Sequence, residues 1–73
     1  SGELTTPGFW LPYSWSACPD FWRNFVRCCG SRLVEDTLTL YGAKFVDANS
    51  VQYDVFVEFE DAEGFTRFLL EFA

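Results

Sequence analysis

The side chains in this sequence that could act as nucleophiles, acids, bases or metal ligands are mainly three cysteines and eleven carboxylates. The chain of 73 residues contains no histidine, so it has neither an imidazole base nor an imidazole metal ligand. Acid and base chemistry near neutral pH would therefore fall to carboxylates, thiols and tyrosines. This composition predicts a protein that is not an enzyme, with no catalytic residue, no metal site and no cofactor.

The cysteines could serve disulfide, metal or thiol chemistry. Cys18 and Cys28 lie at the two ends of a predicted helix, about 15 Å apart at roughly 1.5 Å per residue, which exceeds the ~7 Å reach of a disulfide. A disulfide between the adjacent Cys28 and Cys29 would be strained, and three thiols form an incomplete zinc set. We therefore expect reduced, partly buried thiols and a reducing, cytoplasmic compartment, which for a viral protein is the host cytoplasm. An intermolecular disulfide and a metal completed by a carboxylate or a second chain are the alternatives.

The carboxylates are concentrated in the second half of the chain. Residues 35–73 carry nine acidic and two basic side chains, a net charge of −7, whereas residues 1–34 carry a net charge of +1. The densest group is Glu58, Glu60, Asp61 and Glu63. Three interpretations remain open for this group: a solvated face, an acidic patch that binds a protein, and a site for metal binding or catalysis.

Two helices are predicted to position these groups, at residues 19–29 and 62–72. Pro19 suits the first turn of the first helix and Gly30 its end, whereas Asp61 suits the cap of the second. Trp22 could belong to the core or to the surface. The buried stripe of the first helix is predicted at Phe21, Phe25, Cys28 and Cys29. That of the second is predicted at Phe65, Phe68, Leu69 and Phe72.

A β-hairpin is predicted at residues 37–46 and 51–59, because both segments alternate and a turn-forming segment joins them. If Val46 pairs with Val51, the two faces of the hairpin separate cleanly, and Gly42 marks a bulge. Leu38, Leu40, Val46, Val51, Val55, Val57 and Phe59 then share one face. Thr39, Tyr41, Ala43, Phe45, Asp54, Phe56 and Glu58 share the other, open face.

Residues 8–16 are rich in aromatic side chains and are predicted to be irregular or a short edge strand. The resulting fold class is α+β, a small antiparallel sheet built on the hairpin with two helices on one face, in the order (β)αββα. The length fits a single domain. Ser1 and Gly2, in a chain without methionine, are interpreted as a remnant of tag removal.

The segment from Gln52 to Phe59 resembles the RNP1 strand of the RNA recognition motif. The order helix, strand, strand, helix resembles the middle of that fold, or half of a ferredoxin-like fold. Phe56 matches a stacking aromatic, but Asp54 stands where the second one belongs. The charge of −7 also opposes contact with phosphates. The resemblance therefore implies an architecture, and no direct binding of nucleic acid is expected.

These patterns lead to an expected function in protein binding. Aromatic residues ringed by carboxylates suit an interface, unless the aromatic residues near the amino terminus cover them. We expect an acidic module that docks on a basic nucleic-acid-binding surface, most concretely a phage-type inhibitor of CRISPR or restriction systems. Its partner-binding residues are predicted to be Asp54, Glu58, Glu60, Asp61, Glu63, Tyr41, Phe45 and Phe56.

Two alternatives come from other functional classes. One is an assembly subunit that buries its aromatic sheet face in an oligomer, a homodimer included. The other is a small ligand-binding protein or a thiol-dependent enzyme. No apolar segment approaches the ~20 residues of a membrane span, so no membrane partner is expected.

Overall fold

Three antiparallel strands and three helices make up the computed structural model, which describes residues 6–73. The strands are β1 (Gly8–Pro12), β2 (Ala43–Asp47) and β3 (Tyr53–Phe59). The helices are α1 (Asp20–Cys29), α2 (Val34–Leu40) and α3 (Ala62–Phe72), and short 3-10 turns at Trp15–Ala17 and Ser31–Leu33 precede the first two. The central strand is β3, in the order β1-β3-β2. The predicted α+β class is confirmed, whereas the interpretation of Ser1 and Gly2 lies outside the described residues.

The helices α1 and α3 lie where the sequence predicts them. Asp61 is the N-cap of α3, and its side chain accepts a hydrogen bond of 2.8 Å from the backbone N–H of Gly64. Gly30 ends α1 with a φ of 82°, a conformation that favours glycine. Pro19 occupies the N-cap position of α1, one residue before the first helical position. Local signals at helix ends were therefore sufficient to place both helices.

The buried stripe of α1 differs from the predicted one. Trp22 and Phe25 are the buried residues of this helix, whereas Cys28 is exposed. Cys18, just before the helix, is also buried and lies on the same side as Trp22 and Phe25 at helical spacing. Trp22 thus belongs to the core, and the helix is rotated away from the predicted orientation.

The first predicted strand, residues 37–46, begins as the helix α2. Val34 and Leu38 are one helical turn apart and are both buried, which a helix achieves and a strand starting at residue 37 does not. Gly42 follows the helix with a φ of 73°, and its N–H donates to the carbonyl oxygen of Thr39 at 3.0 Å. Gly42 is therefore a helix stop rather than a bulge within a strand.

The strands β2 and β3 form the predicted hairpin in a different register. Val46 pairs with Phe56 and not with Val51. The cause is a long connection, in which Asn49 adopts a φ of 52° and its N–H donates to the Asp47 carboxylate at 3.1 Å. The connection therefore includes residues 51 and 52, which the alternating pattern predicts to be part of the second strand.

The register changes which side chains of β2 face the core. The pairing is displaced by five residues from the predicted one. Because side chains alternate between the two faces, an odd displacement moves each β2 side chain to the opposite face relative to β3. Ala43 is buried and Phe45 lies 6.0 Å from the Trp22 ring, so both face the core and their predicted placement on the open face is wrong. Val46, predicted inside, lies on the opposite face. In β3 the core-facing residues are the predicted ones, Val55, Val57 and Phe59.

Phe68 of α3 is the centre of the core. Its side chain is fully buried, and its ring centroid lies 4.9 to 6.5 Å from those of its aromatic neighbours. These neighbours come from β1, α1, the end of α2, β3 and α3 itself: Phe9, Phe21, Trp22, Phe25, Tyr41, Phe59 and Phe72. The core therefore lies between the helices and one face of the sheet.

We expect Phe68→Ala to lower the free energy of unfolding by about 3–5 kcal/mol, because it removes the ring and leaves a cavity. Leu70→Ala, on the same helix at a side chain that is 77% exposed, should change it by no more than about 0.5 kcal/mol. Urea denaturation followed by circular dichroism measures both. Equal losses for the two variants would show that Phe68 is not the centre of the core.

Candidate protein-binding surfaces

One face of the sheet carries exposed aromatic residues. Trp10, Phe56 and Val46 form a row across the three strands. The Trp10 side chain is 47% exposed, and its ring centroid lies 4.7 Å from that of Phe56 and 5.5 Å from that of Tyr53. We call Trp10, Val46, Tyr53 and Phe56 the outer face. Because the helices cover the opposite face, Trp10 and Tyr53 remain exposed to solvent, and Phe56 beside Trp10 is half-buried.

Only one of the predicted aromatic binding residues, Phe56, lies on the outer face. Phe45 faces the core beside Trp22. Tyr41 follows α2, and its ring packs against Phe68 at 5.5 Å. Burial raises the pKa of Tyr41, and the nearby Glu71 carboxylate adds to this effect, so its hydroxyl remains protonated at neutral pH. The expectation that Tyr41 and Phe45 line an open sheet face is therefore wrong.

The segment near the amino terminus forms the short edge strand that was one of its two predicted states. This strand, Gly8–Pro12, is β1, and because it pairs beside β3 the segment does not fold across the outer face as a cover. Strand alternation then sends Phe9 and Leu11 to the core and Trp10 outwards. Treating this segment as a strand would have identified Trp10 from the sequence.

A β-bulge interrupts the pairing of β1 with β3. Val55 pairs with Leu11 and Tyr53 pairs with Pro12, so Asp54 is an extra residue in β3. The bulge breaks the alternation, so that Tyr53 contacts Trp10 on the outer face. Asp54 instead lines a cavity on the core side together with Val55.

That cavity is an aromatic groove of about 510 Å³ between the end of β1, α1, α2 and the bulge. We define the aromatic groove by Tyr13, Trp15, Trp22, Glu35, Phe45 and Asp54. Trp22 is buried, whereas the Trp15 and Tyr13 side chains are 46% and 65% exposed. The groove thus has a buried floor and an exposed aromatic rim. Of its six defining residues, the sequence predicts Asp54 and Phe45 as binding residues and leaves Trp22 unassigned.

Cys18 also lines the groove, and its environment favours the thiol. Its sulfur donates to the carbonyl oxygen of Ser14 at 3.4 Å. Burial raises the pKa of Cys18, an effect that the Arg23 guanidinium partly opposes. All three cysteines are free, and residues 6–73 contain no group of three or more potential ligands able to hold a metal ion.

Four of the predicted acidic residues form a continuous ridge from the end of β3 into α3. We call Glu58, Glu60, Asp61 and Glu63 the acidic ridge. Lys44 lies 3.5 Å from Glu58 across the hairpin, and Arg67 lines the same shallow cavity as the other three members. Asp54 lies outside the ridge, about 13 Å along the strand from Glu58 at roughly 3.3 Å per residue.

Most of the described carboxylates have no cationic partner within the described chain. The structure describes ten of the eleven acidic side chains, and nine of those ten residues are exposed. Asp20 pairs with Arg23 and Glu58 with Lys44. In the described part of the chain, the other eight have no basic nitrogen within 4.0 Å. Internal ion pairing therefore leaves most of the negative charge available to a partner.

The comparisons with family models, curated proteins and solved structures find no match to this chain. Among residues 6–73, none of the helices has the length and apolar character needed to cross a membrane.

Asp61 has a structural role within the acidic ridge that its neighbours lack. We expect Asp61→Ala to lower the free energy of unfolding by about 1 kcal/mol, because the N–H of Gly64 loses its acceptor. Asp61→Asn retains an acceptor oxygen and should change the stability by only a few tenths of a kcal/mol. Glu60→Ala removes an exposed side chain and should have a similarly small effect. Thermal or urea denaturation distinguishes the three variants, and an Asp61→Ala stability equal to that of Glu60→Ala would contradict the capping role.

Proposed function

We propose that this protein is a non-enzymatic acidic module that binds a basic, nucleic-acid-binding surface of a protein partner. The observation that carries this proposal is the set of eight exposed carboxylates without an internal cationic partner in residues 6–73. Three members of the acidic ridge belong to this set, and they adjoin one another on the molecule.

Clustered like charges destabilise a compact chain through mutual repulsion. A basic partner surface relieves that repulsion and also accelerates association by electrostatic steering. Glu58 lies in β3 and Glu60 just after its end, and the two line one shallow cavity with Lys44. Asp61 and Glu63 continue the negative charge into the first turn of α3. Such a row of carboxylates can bind the basic side chains of a partner that otherwise bind phosphates.

The most concrete form of this function is a small phage-type inhibitor that blocks a CRISPR or restriction system. Occupying a phosphate-binding surface would exclude nucleic acid from the target, and no chemistry by the inhibitor would be required. Small size and net negative charge support this form. The alternative of a thiol-dependent enzyme has less support at Cys18, because this thiol is buried and its pKa is raised.

The test compares two variants that each lose four negative charges. The ridge variant is Glu58→Gln, Glu60→Gln, Asp61→Asn and Glu63→Gln, in which the asparagine that replaces Asp61 can still cap α3. The control is Asp20→Asn, Asp36→Asn, Asp47→Asn and Glu71→Gln, outside the acidic ridge. Partners are captured from a cell extract with the unaltered protein, identified by mass spectrometry and prepared separately. Calorimetry then measures the affinity of each variant for the purified partner.

We expect the ridge variant to bind the purified partner at least about tenfold more weakly than the control, because four interfacial charge contacts are lost. Binding of the unaltered protein should weaken as salt is raised and should compete with nucleic acid. Equal affinities of the two variants, or a partner that nucleic acid does not displace, would contradict the proposal.

The outer face favours a second candidate, an assembly subunit that buries its aromatic sheet face. Trp10 and Tyr53 are both exposed on a sheet that the helices leave uncovered on this side. This candidate predicts that the sedimentation coefficient rises with protein concentration and that Trp10→Ser with Tyr53→Ser abolishes the rise. Leu40→Ser with Leu70→Ser, at side chains 79% and 77% exposed, is the control and should retain it. A single monomeric species at every concentration excludes self-association through the outer face.

A further inference from the structure

The aromatic groove combines apolar walls with two acceptors of hydrogen bonds. Its carboxylates come from different elements, Glu35 from the first turn of α2 and Asp54 from the bulge in β3. Neither has a basic nitrogen within 4.0 Å in the described part of the chain. The nearby Arg23 is paired with Asp20 and so does not neutralise them.

The rim of the groove is held in place although it is exposed. The Tyr13 side chain is 65% exposed, and its hydroxyl donates to the carbonyl oxygen of Ser50 in the β2–β3 connection at 3.1 Å. Trp15 lies in the short 3-10 turn that leads into α1, whose Trp22 forms part of the buried floor. Exposed aromatic rings around a concave site are typical of recognition surfaces, and their faces attract cations.

We propose that the aromatic groove binds an arginine side chain of the protein partner. A guanidinium group is planar, stacks on aromatic rings and presents several N–H donors that match carboxylates, whereas a lysine ammonium is a compact point charge. The volume of about 510 Å³ is within the usual range for a site that encloses a small group. This inference rests on the proposed function for the source of the arginine, a basic protein surface.

The three tryptophans allow a direct test with an internal control. Trp15 and Trp22 line the groove, whereas Trp10 lies on the outer face. We would titrate the uniformly ¹⁵N-labelled protein with N-acetyl-arginine-N-methylamide and follow the three indole N–H resonances. The Trp15 and Trp22 resonances should shift and saturate, and the Trp10 resonance should not. The neutral analogue N-acetyl-citrulline-N-methylamide should produce no saturating shift, because it lacks the positive charge.

Matched variants test the two carboxylates. Glu35→Gln with Asp54→Asn should weaken the arginine response at least about tenfold, because both charge-assisted hydrogen bonds are lost. Asp36→Asn with Glu71→Gln removes the same charge outside both the groove and the acidic ridge and should leave the response unchanged. The same spectra show whether each variant is folded.

Several results would overturn the proposal: no saturating shift of Trp15 and Trp22, an equal shift of Trp10, an equal response to citrulline, or an unchanged response of Glu35→Gln with Asp54→Asn. A lysine analogue that binds as tightly would show that the groove is a general cation site and not an arginine site. The titration contains no partner protein, so its failure leaves the ridge-variant comparison intact. Failure of the ridge comparison with a positive titration would instead reject only the proposed partner surface.

Discussion

Burial of the Phe68 ring links β1, β3, α1 and the end of α2 into one core. A chain of 73 residues has too little apolar material to cover both faces of a sheet. Placing the helices against the face that meets Phe68 therefore leaves the other face open. The exposure of Trp10 and Tyr53 follows from this constraint and needs no separate cause.

The same constraint explains where the charges lie. The core of the described residues contains no buried polar or charged side chain, so the acidic residues remain at the surface, where most have no cationic partner. The start of α3 combines two roles, because Asp61 also caps the helix that carries Phe68. The acidic ridge thus serves folding at one residue and is available for binding at the others.

The aromatic groove and the acidic ridge lie at opposite ends of β3. The bulge at Asp54 opens the groove at one end of the strand, and Glu58 begins the ridge about 13 Å away at roughly 3.3 Å per residue. A partner that binds both must reach from one side of the sheet to the other, because the groove lies on the core side of β3. The outer face lies on the side opposite the groove, and Glu58, two residues from Phe56 in β3, projects from that same side.

The sequence by itself determined the features that depend on neighbouring residues: the fold class, α1, α3, the hairpin and the core-facing side of β3. Capping, helical spacing and strand alternation act over a few residues and can be read from the chain. Tertiary structure decided α2, the hairpin register and the bulge at Asp54. The segment around Leu38 suits either a helix or a strand until Val34 and Leu38 are buried together. The groove unites residues from distant segments, so only the packed chain could reveal it.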